Sequence, residues 1–392
     1  MVEFQASRTI EQLPTQFFLT LVEKLKTYQA QGYDVINLGQ GNPDLPTPQR
    51  IVDALKQGVD HPENHKYSPF RGHHDLKEAV SAYYLREYGV TLDPNTEVAI
   101  LPGTKTGLVE LSQCLLNPGD TCLVPDPGYP DYMSGISVQS AHAAYMPLTS
   151  DNHFLPDYQA IASDTRNKAK LMFLNYPNNP TAAAATPDFF DETVQFAKAN
   201  NIAVCHDFAY HTMQFDGEKA PSFLMTEGAK DIGIEMFTLS KAYNMAGWRV
   251  GFAVGNPSII AMLEDIQDHY YVSLFGAIQD AAKEALNGPQ TDVEALTAIY
   301  ETRRNTLISG LRAIGWDVTA PKGTFFCFLK VPDGFDSVSF SDYLLAHAHV
   351  FVAPGVGFGP HGEGYVRVAL LTNVERLEEA CRRLGALDIF KK

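Results

Sequence analysis

One lysine stands among hydroxyls and glycines in the stretch Thr238-Leu239-Ser240-Lys241-Ala242-Tyr243-Asn244-Met245-Ala246-Gly247-Trp248-Arg249-Val250-Gly251. Thr238 and Ser240 put two hydroxyls beside Lys241, and Arg249 follows between Gly247 and Gly251. The flanking runs 235–240 and 248–255 are apolar and strand-like, which sets the lysine on a turn between two buried strands. Polar side chains held there need partners, because an unpaired buried charge is costly. A phosphate fits: hydroxyls and a forked guanidinium match its oxygens. A lysine beside a bound phosphate points to pyridoxal phosphate (PLP), whose aldehyde a lysine amine can bond. By residue type alone, the same stretch also suits a solvated lysine in a glycine-containing turn.

Other groups are placed for chemistry. The run Ile202-Ala203-Val204-Cys205 ends in His206-Asp207-Phe208-Ala209-Tyr210, and an acid at the end of a buried strand needs a partner, a ligand or a structural ion pair. Arg367 interrupts the apolar strand Tyr365-Val366-Arg367-Val368-Ala369-Leu370, so it is exposed, paired, or aimed at a ligand. Val98-Ala99-Ile100-Leu101 leads through Gly103-Thr104-Lys105 into a helix with Leu108, Leu111 and Leu115 on one face. The open N–H groups at such a helix start suit an anion, although many such turns hold none. Stiff or glycine-containing loops carry Gly41, Tyr67, Tyr129 and Asn179.

The string S-K-x-x-x-M-x-G-W-R-x-G resembles the PLP-lysine motif of the class I/II aminotransferases, PLP enzymes of fold type I. Six motifs in that family's order run from residue 41 to residue 367. The resemblance implies that Lys241 bonds the cofactor and moves the substrate proton. Asp207 then pairs with the pyridine nitrogen, Tyr210 and Asn179 with O3′, and Tyr129 stacks on the ring. Gly103, Thr104, Lys105, Thr238, Ser240 and Arg249 surround the phosphate, and Tyr67 reaches the phosphate of a partner subunit. Gly41, Asn179 and Arg367 receive the substrate, with Arg367 on the α-carboxylate as a bidentate pair. Two positions depart from the pattern. Thr104 stands where a smaller residue is common, and Ala182 replaces the glycine of N-P-T-G, a strained choice if φ is positive there.

The implied fold is α/β. A large domain over residues 46–289 holds a mostly parallel seven-stranded sheet, and a smaller α/β domain joins 1–45 to 290–392. The chain's own periodicities agree in outline. They predict a helix over 11–31 stopped by Gly32, a strand at 35–38, and alternating strands and helices from residue 98. Beyond 257 they predict helices at 257–286, 292–314 and 340–347, with strands at 325–329, 350–353 and 365–370. Dimerisation follows from the role given to Tyr67.

Among 392 residues the net charge is −16, which disfavours nucleic acid and anionic membranes as partners. Five scattered cysteines without C-x-x-C spacing read as free thiols in a reducing compartment. With no signal pattern and no apolar run of membrane-spanning length, a cytoplasmic enzyme is expected. His206 and His211 lack a carboxylate-rich cluster around them and read as structural, and no metal is expected.

The substrates are expected to be an amino acid and a 2-oxo acid. Gln40-Gly41-Asn42-Pro43, Asn64-His65-Lys66-Tyr67, 126–132, 206–210 and 361–365 together look like the methionine-salvage aminotransferases, which form methionine from 4-methylthio-2-oxobutanoate. Diaminopimelate and aspartate aminotransferases share most of these motifs. Tyr129, Phe208 and Phe18 are the expected apolar walls, while Lys105, Lys66 or Arg71 could reach a distal carboxylate. A PLP-dependent β-lyase fits the same motifs. A PLP-sensing regulator would need a DNA-binding segment, for which the helix at 11–31 leaves no room.

Overall fold

The computed structural model describes residues 1–14 and 17–390, with backbone only at 17–20. Its centre is a seven-stranded sheet of β2 (Val98–Leu101), β3 (Thr121–Asp126), β4 (His142–Pro147), β5 (Ala169–Leu174), β6 (Ala203–Asp207), β7 (Gly233–Thr238) and β8 (Gly251–Gly255), after a two-residue β1 (Ile36–Asn37) that lies elsewhere. The order is β2-β8-β7-β6-β5-β3-β4, and only β8 runs against the rest. The central strands are apolar on consecutive residues because helices cover both faces. In β5, Met172 and Leu174 pack into one core while Leu171 and Phe173 pack into the other. The helix Pro187–Asn200 closes the first face with Phe189, Phe190, Val194 and Ala197; Thr186 caps it by accepting the Phe189 amide. The helix Thr104–Leu115 closes the second face with Leu108 and Leu111.

A second core gathers around β9 (Phe326–Lys330), β10 (Val350–Phe351), β11 (Ala353–Pro354) and β12 (Tyr365–Ala369). β12 lies between β11 and β9, antiparallel to both, and β10 pairs in parallel with β1. The helices Thr291–Ala313, Ser337–Ala348 and Val374–Gly385 bury Leu307, Leu311, Leu344 and Leu377 against it.

The expected elements are present with four differences. The run 257–286 is two helices, Pro257–Tyr270 and Gly276–Asn287, parted at an extended Tyr271 whose hydroxyl donates to Glu110 at 2.6 Å. Residues 350–353 are not one strand: β10 and β11 are each two residues long and belong to different sheets. β4 has no apolar run to announce it, since as the edge strand it buries only Met146. The N-terminal helix expected over 11–31 is shorter: Arg8–Glu11 is a separate short helix, and the long one is Phe17–Ala30, followed by Gly32 with φ +88°. All five cysteines are free, and among the described residues no helix is long and apolar enough to cross a membrane.

Candidate active site

In an open α/β sheet, ligands gather at the carboxyl ends of the parallel strands. Here that edge carries Gly103 after β2, Tyr129 after β3, Asn175 after β5, Asp207 closing β6 and Lys241 after β7. β8 runs the other way, so its beginning lies at this edge, and Arg249 arrives just before it. Register sets Gly251 between Leu101 and Thr238. A Cβ on Gly251 would stand 3.0 Å from the Thr104 amide nitrogen, so glycine lets the two strand ends close up. These ends surround a cavity of about 380 Å3.

Lys241 projects into the cavity from the short helix Leu239–Ala242. Thr238 caps that helix: its hydroxyl accepts the Ser240 amide at 3.1 Å and lies 2.9 Å from the Val250 carbonyl. The lysine Nζ donates to the Gly41 carbonyl at 3.2 Å and stands 5.5 Å over the Phe325 ring. Burial, then the charges of Arg367 and Arg249, lowers its amine to about 8.

Around the lysine are an anion cradle, an acid and a second arginine. The helix Thr104–Leu115 begins at Gly103 (φ +86°) with no side-chain cap, so its first N–H groups have no side-chain partner, and Thr104 and Lys105 line the cavity with Ser240 and Arg249. A Cβ on Gly103 would lie 2.3 Å from Nη2 of Arg249. Gly103→Ala should therefore weaken PLP binding about tenfold, since its backbone (φ +86°, ψ 147°) is near a region only glycine adopts freely, costing about 1–3 kcal/mol with a Cβ, and the guanidinium must also shift; a fluorescence titration with PLP measures it.

Asp207 is buried, and its Oδ2 accepts from the Tyr132 hydroxyl at 3.0 Å. Its Oδ1 has no hydrogen-bond partner among the described residues. Burial raises the carboxyl to about 6, against the opposing effects of the Tyr132 bond and His206. Tyr132 is held by stacking on Phe173, with ring centroids 4.8 Å apart. Asn175 braces the floor: its amide donates to the Asp207 carbonyl at 2.6 Å and its oxygen accepts the Asn179 amide at 2.7 Å. Asn178 accepts both the amide and the hydroxyl of Thr181. Ala182, which closes this turn, has φ +59°, so the strain anticipated from the sequence is present. Arg367 lies between the rings of Phe326 and Phe358, 4.0 and 4.5 Å from their centroids. It donates to Asn179 Oδ1 and to the Gly39 carbonyl, each at 3.0 Å.

Of the residues singled out in the sequence, Gly41, Thr104, Lys105, Tyr129, Asn179, Asp207, Tyr210, Thr238, Ser240, Lys241, Arg249 and Arg367 all line this cavity, with Gly103 immediately behind Arg249. Tyr67 does not: it is 90% exposed, on the outside of this chain. Phe208 is a correction. It is fully buried beside Tyr88 and His206 because adjacent residues leave a strand on opposite faces, and Asp207 faces the cavity. Arg71 is held on the surface by Glu264, Asp265 and Asp268, and Lys66 by Glu63. The Phe18 side chain lies outside the described residues. His206 bonds Glu235 at 2.7 Å, deep in a buried network that also includes Tyr84 and Ser222. Sequence reasoning missed Asp131, Tyr132, Asn175 and Phe326. Asn175, a polar residue at the end of an apolar strand, was the one with a usable signal.

The orphaned Asp207 Oδ1 suits a protonated ring nitrogen, and the Gly103–Arg249 cradle suits a phosphate. This is the architecture of fold type I PLP enzymes. Residues 33–384 match the family model for aminotransferase class I and II, and the chain belongs to that family, as a PLP-dependent transaminase. It is 61% identical over 389 residues to L-glutamine--4-(methylsulfanyl)-2-oxobutanoate aminotransferase from Bacillus subtilis, covering 99% of this chain and 98% of the relative. It is 44% identical over 380 residues to LL-diaminopimelate aminotransferase from Moorella thermoacetica, covering 97% of each. The substrate-bound structure of BacF from B. subtilis superposes with a TM-score of 0.95 at 48% identity, covering 98% of both chains.

Proposed function

We propose that the protein transfers an amino group between amino acids with uncharged side chains and 2-oxo acids, with methionine and its own oxo acid, 4-(methylsulfanyl)-2-oxobutanoate, as the principal couple and a second amino acid with its oxo acid as the other half of the exchange. One observation carries the choice of side chain. The cations on the cavity wall are Lys105, Lys241, Arg249 and Arg367, and Lys105 is ion-paired with Asp131 at 3.0 Å. With Lys241 given to chemistry, Arg249 to the phosphate and Arg367 to the α-carboxylate, no cation among the described lining residues remains for a distal carboxylate. The relative at 61% identity, whose name carries that oxo acid and glutamine, supports this oxo acid as acceptor and an uncharged amino acid as donor.

PLP, when bound, supplies an electron sink for the bond broken at the substrate Cα. The residues do the rest. Lys241, with its amine lowered to about 8, is neutral often enough near pH 7–8 to take the Cα proton and return it. Asp207 would hold the proton on the ring nitrogen. Tyr210 and Asn179 would hold O3′, and Tyr129 would pack against the ring. Ser240, Arg249 and the backbone amides after Gly103, those of Thr104 and Lys105, would hold the phosphate. Arg367, fixed by two rings and two hydrogen bonds, orients the substrate. We extend the reading to a cytoplasmic homodimer in which Tyr67 serves the neighbouring site, and to a division into a large unit, 46–289, and a small one, 1–45 with 290–392.

Arg367→Lys should raise KM for both substrates about 10–100-fold while PLP binding changes little, because charge-assisted hydrogen bonds from the planar fork are lost. Half-reaction kinetics separate the two effects, and an unchanged KM would remove the assignment. A donor panel of methionine, glutamine, leucine, phenylalanine, aspartate and diaminopimelate, followed spectrally through the first half-reaction, tests the substrate. A kcat/KM for aspartate or diaminopimelate well above that for methionine would overturn the uncharged side chain.

A further inference from the structure

A second cavity, of about 320 Å3, lies between the helix His74–Tyr88, the segment after β6 and the first turns of the helix Thr291–Ala313. Its wall shares no residue with the cavity around Lys241. Two buried side chains on this wall have polar atoms that the described residues leave unmatched. His211, 4% exposed, directs Nδ1 at the Phe208 carbonyl at 3.3 Å. Facing an acceptor, Nδ1 carries the proton, which leaves Nε2 as a bare lone pair, and Nε2 has no partner among the described residues. Edge contacts with Tyr83 and Phe237 fix the ring's direction. Gln214, 8% exposed, donates its amide to Glu218 at 3.0 Å, so its Oε1 is a second acceptor without a partner.

The charges around these acceptors have one dominant sign. Glu87, Glu218, Glu294 and Glu301 line the cavity against Lys219, which stands 3.5 Å from Glu87. Glu301 lies 3.4 Å from Arg304, and Glu87 bonds Arg86. Burial lowers His211 to about 4, so at neutral pH the ring adds no positive charge and stays an acceptor. A ligand complementary to two bare acceptors and a glutamate rim brings donors and a positive charge. Tyr83, Tyr88 and Val293 offer apolar surface for a stem, and the volume is near the lower end of the range for small-molecule sites, about 300–1,000 Å3.

We propose that this cavity binds a small organic cation with N–H donors on a short apolar stem, its head between His211 Nε2, Gln214 Oε1 and the glutamate rim. Occupancy ties the segment that follows Asp207 to the helix Thr291–Ala313. The test is calorimetric titration of the PLP-loaded enzyme with propylguanidinium chloride at low salt, a cation that does not condense with an aldehyde at neutral pH. One saturable site per chain is expected, with no change in the near-visible spectrum. Uncharged propylurea should bind about tenfold more weakly or worse, and His211→Phe should cost a similar factor, as expected for charge-assisted hydrogen bonds. The double variant Glu87→Gln with Glu294→Gln alters the rim without touching the buried ring, and it should weaken binding about fivefold or more. Any of three results would overturn the proposal: no saturable heat up to about 10 mM, equal binding of propylurea, or the wild-type affinity in the glutamate variant. A spectral change on titration would do the same, by assigning the cation to the site around Lys241.

Discussion

Lys241→Ala yields a folded protein without the near-visible absorbance of a lysine-bound cofactor and without measurable transamination. The side chain projects into a cavity and packs no core, so its loss leaves the fold intact. The chemistry has no substitute. Thr238 is occupied in capping the Leu239–Ala242 helix, and the other cations on the wall are two arginines and a lysine paired with Asp131. General base and acid catalysis alone contributes about 10^2–10^4-fold. Losing both the covalent anchor and the proton carrier should drop kcat to the upper end of that range or beyond. The spectrum and kcat of the purified, PLP-supplemented variant measure it; a variant that keeps its band and its turnover would refute the role given to the lysine.

Asp207→Asn should keep PLP but lose most of the rate. The amide oxygen can go on accepting the Tyr132 hydroxyl, which turns the amide N–H2 toward the position of the orphaned Oδ1. A donor then faces a ring nitrogen that has to keep its own proton, and the ring draws electrons less well. A fall in kcat of about 10^2–10^4-fold is expected, with cofactor stoichiometry near one per chain. The wild type adds a pH signature. Burial raises Asp207 to about 6, and a protonated carboxyl cannot hold a protonated ring nitrogen. PLP affinity in the wild type should therefore weaken as pH falls through about 6, and the Asn variant should lack that dependence. Equilibrium binding across pH 5–8 reads both curves; near-normal turnover in the variant would take Asp207 out of this role.

Residues whose function is written in a short local string were legible. Lys241, Asp207 and the turn after Gly103 lie at strand ends, where a few polar residues break an apolar run, and Arg367 is the one charge in the middle of an apolar strand. What escaped depends on register between segments far apart in sequence. Nothing around Tyr132 says that its hydroxyl meets Asp207, and nothing near Asp131 says that it neutralises Lys105. The aromatic pair around Arg367 comes from two separate segments, neither marked by its own pattern. Phe208 went wrong for a simpler reason: nearness to Asp207 in sequence was taken as nearness in space, and strand alternation sends neighbours to opposite faces. In the fold, β4 was invisible because an edge strand need not be apolar, and the break at 271–275 is made by tertiary hydrogen bonds.

The pairing of β1 with β10 has a consequence for synthesis. Ile36 meets Val350, and Gly39 accepts from Arg367, 328 positions later. Chains emerge from the ribosome N-terminus first, so residues 36–41 leave the exit tunnel long before their partners exist. The strands of the seven-stranded sheet, the last of them ending at Gly255, can all pair while synthesis continues. The early segment has to wait unpaired until the final stretch of chain is released. The site proposed for the substrate carboxylate, around Arg367, is thus the last part of the chain to be built, and a nascent chain stalled before residue 350 should bind PLP better than it binds amino acid.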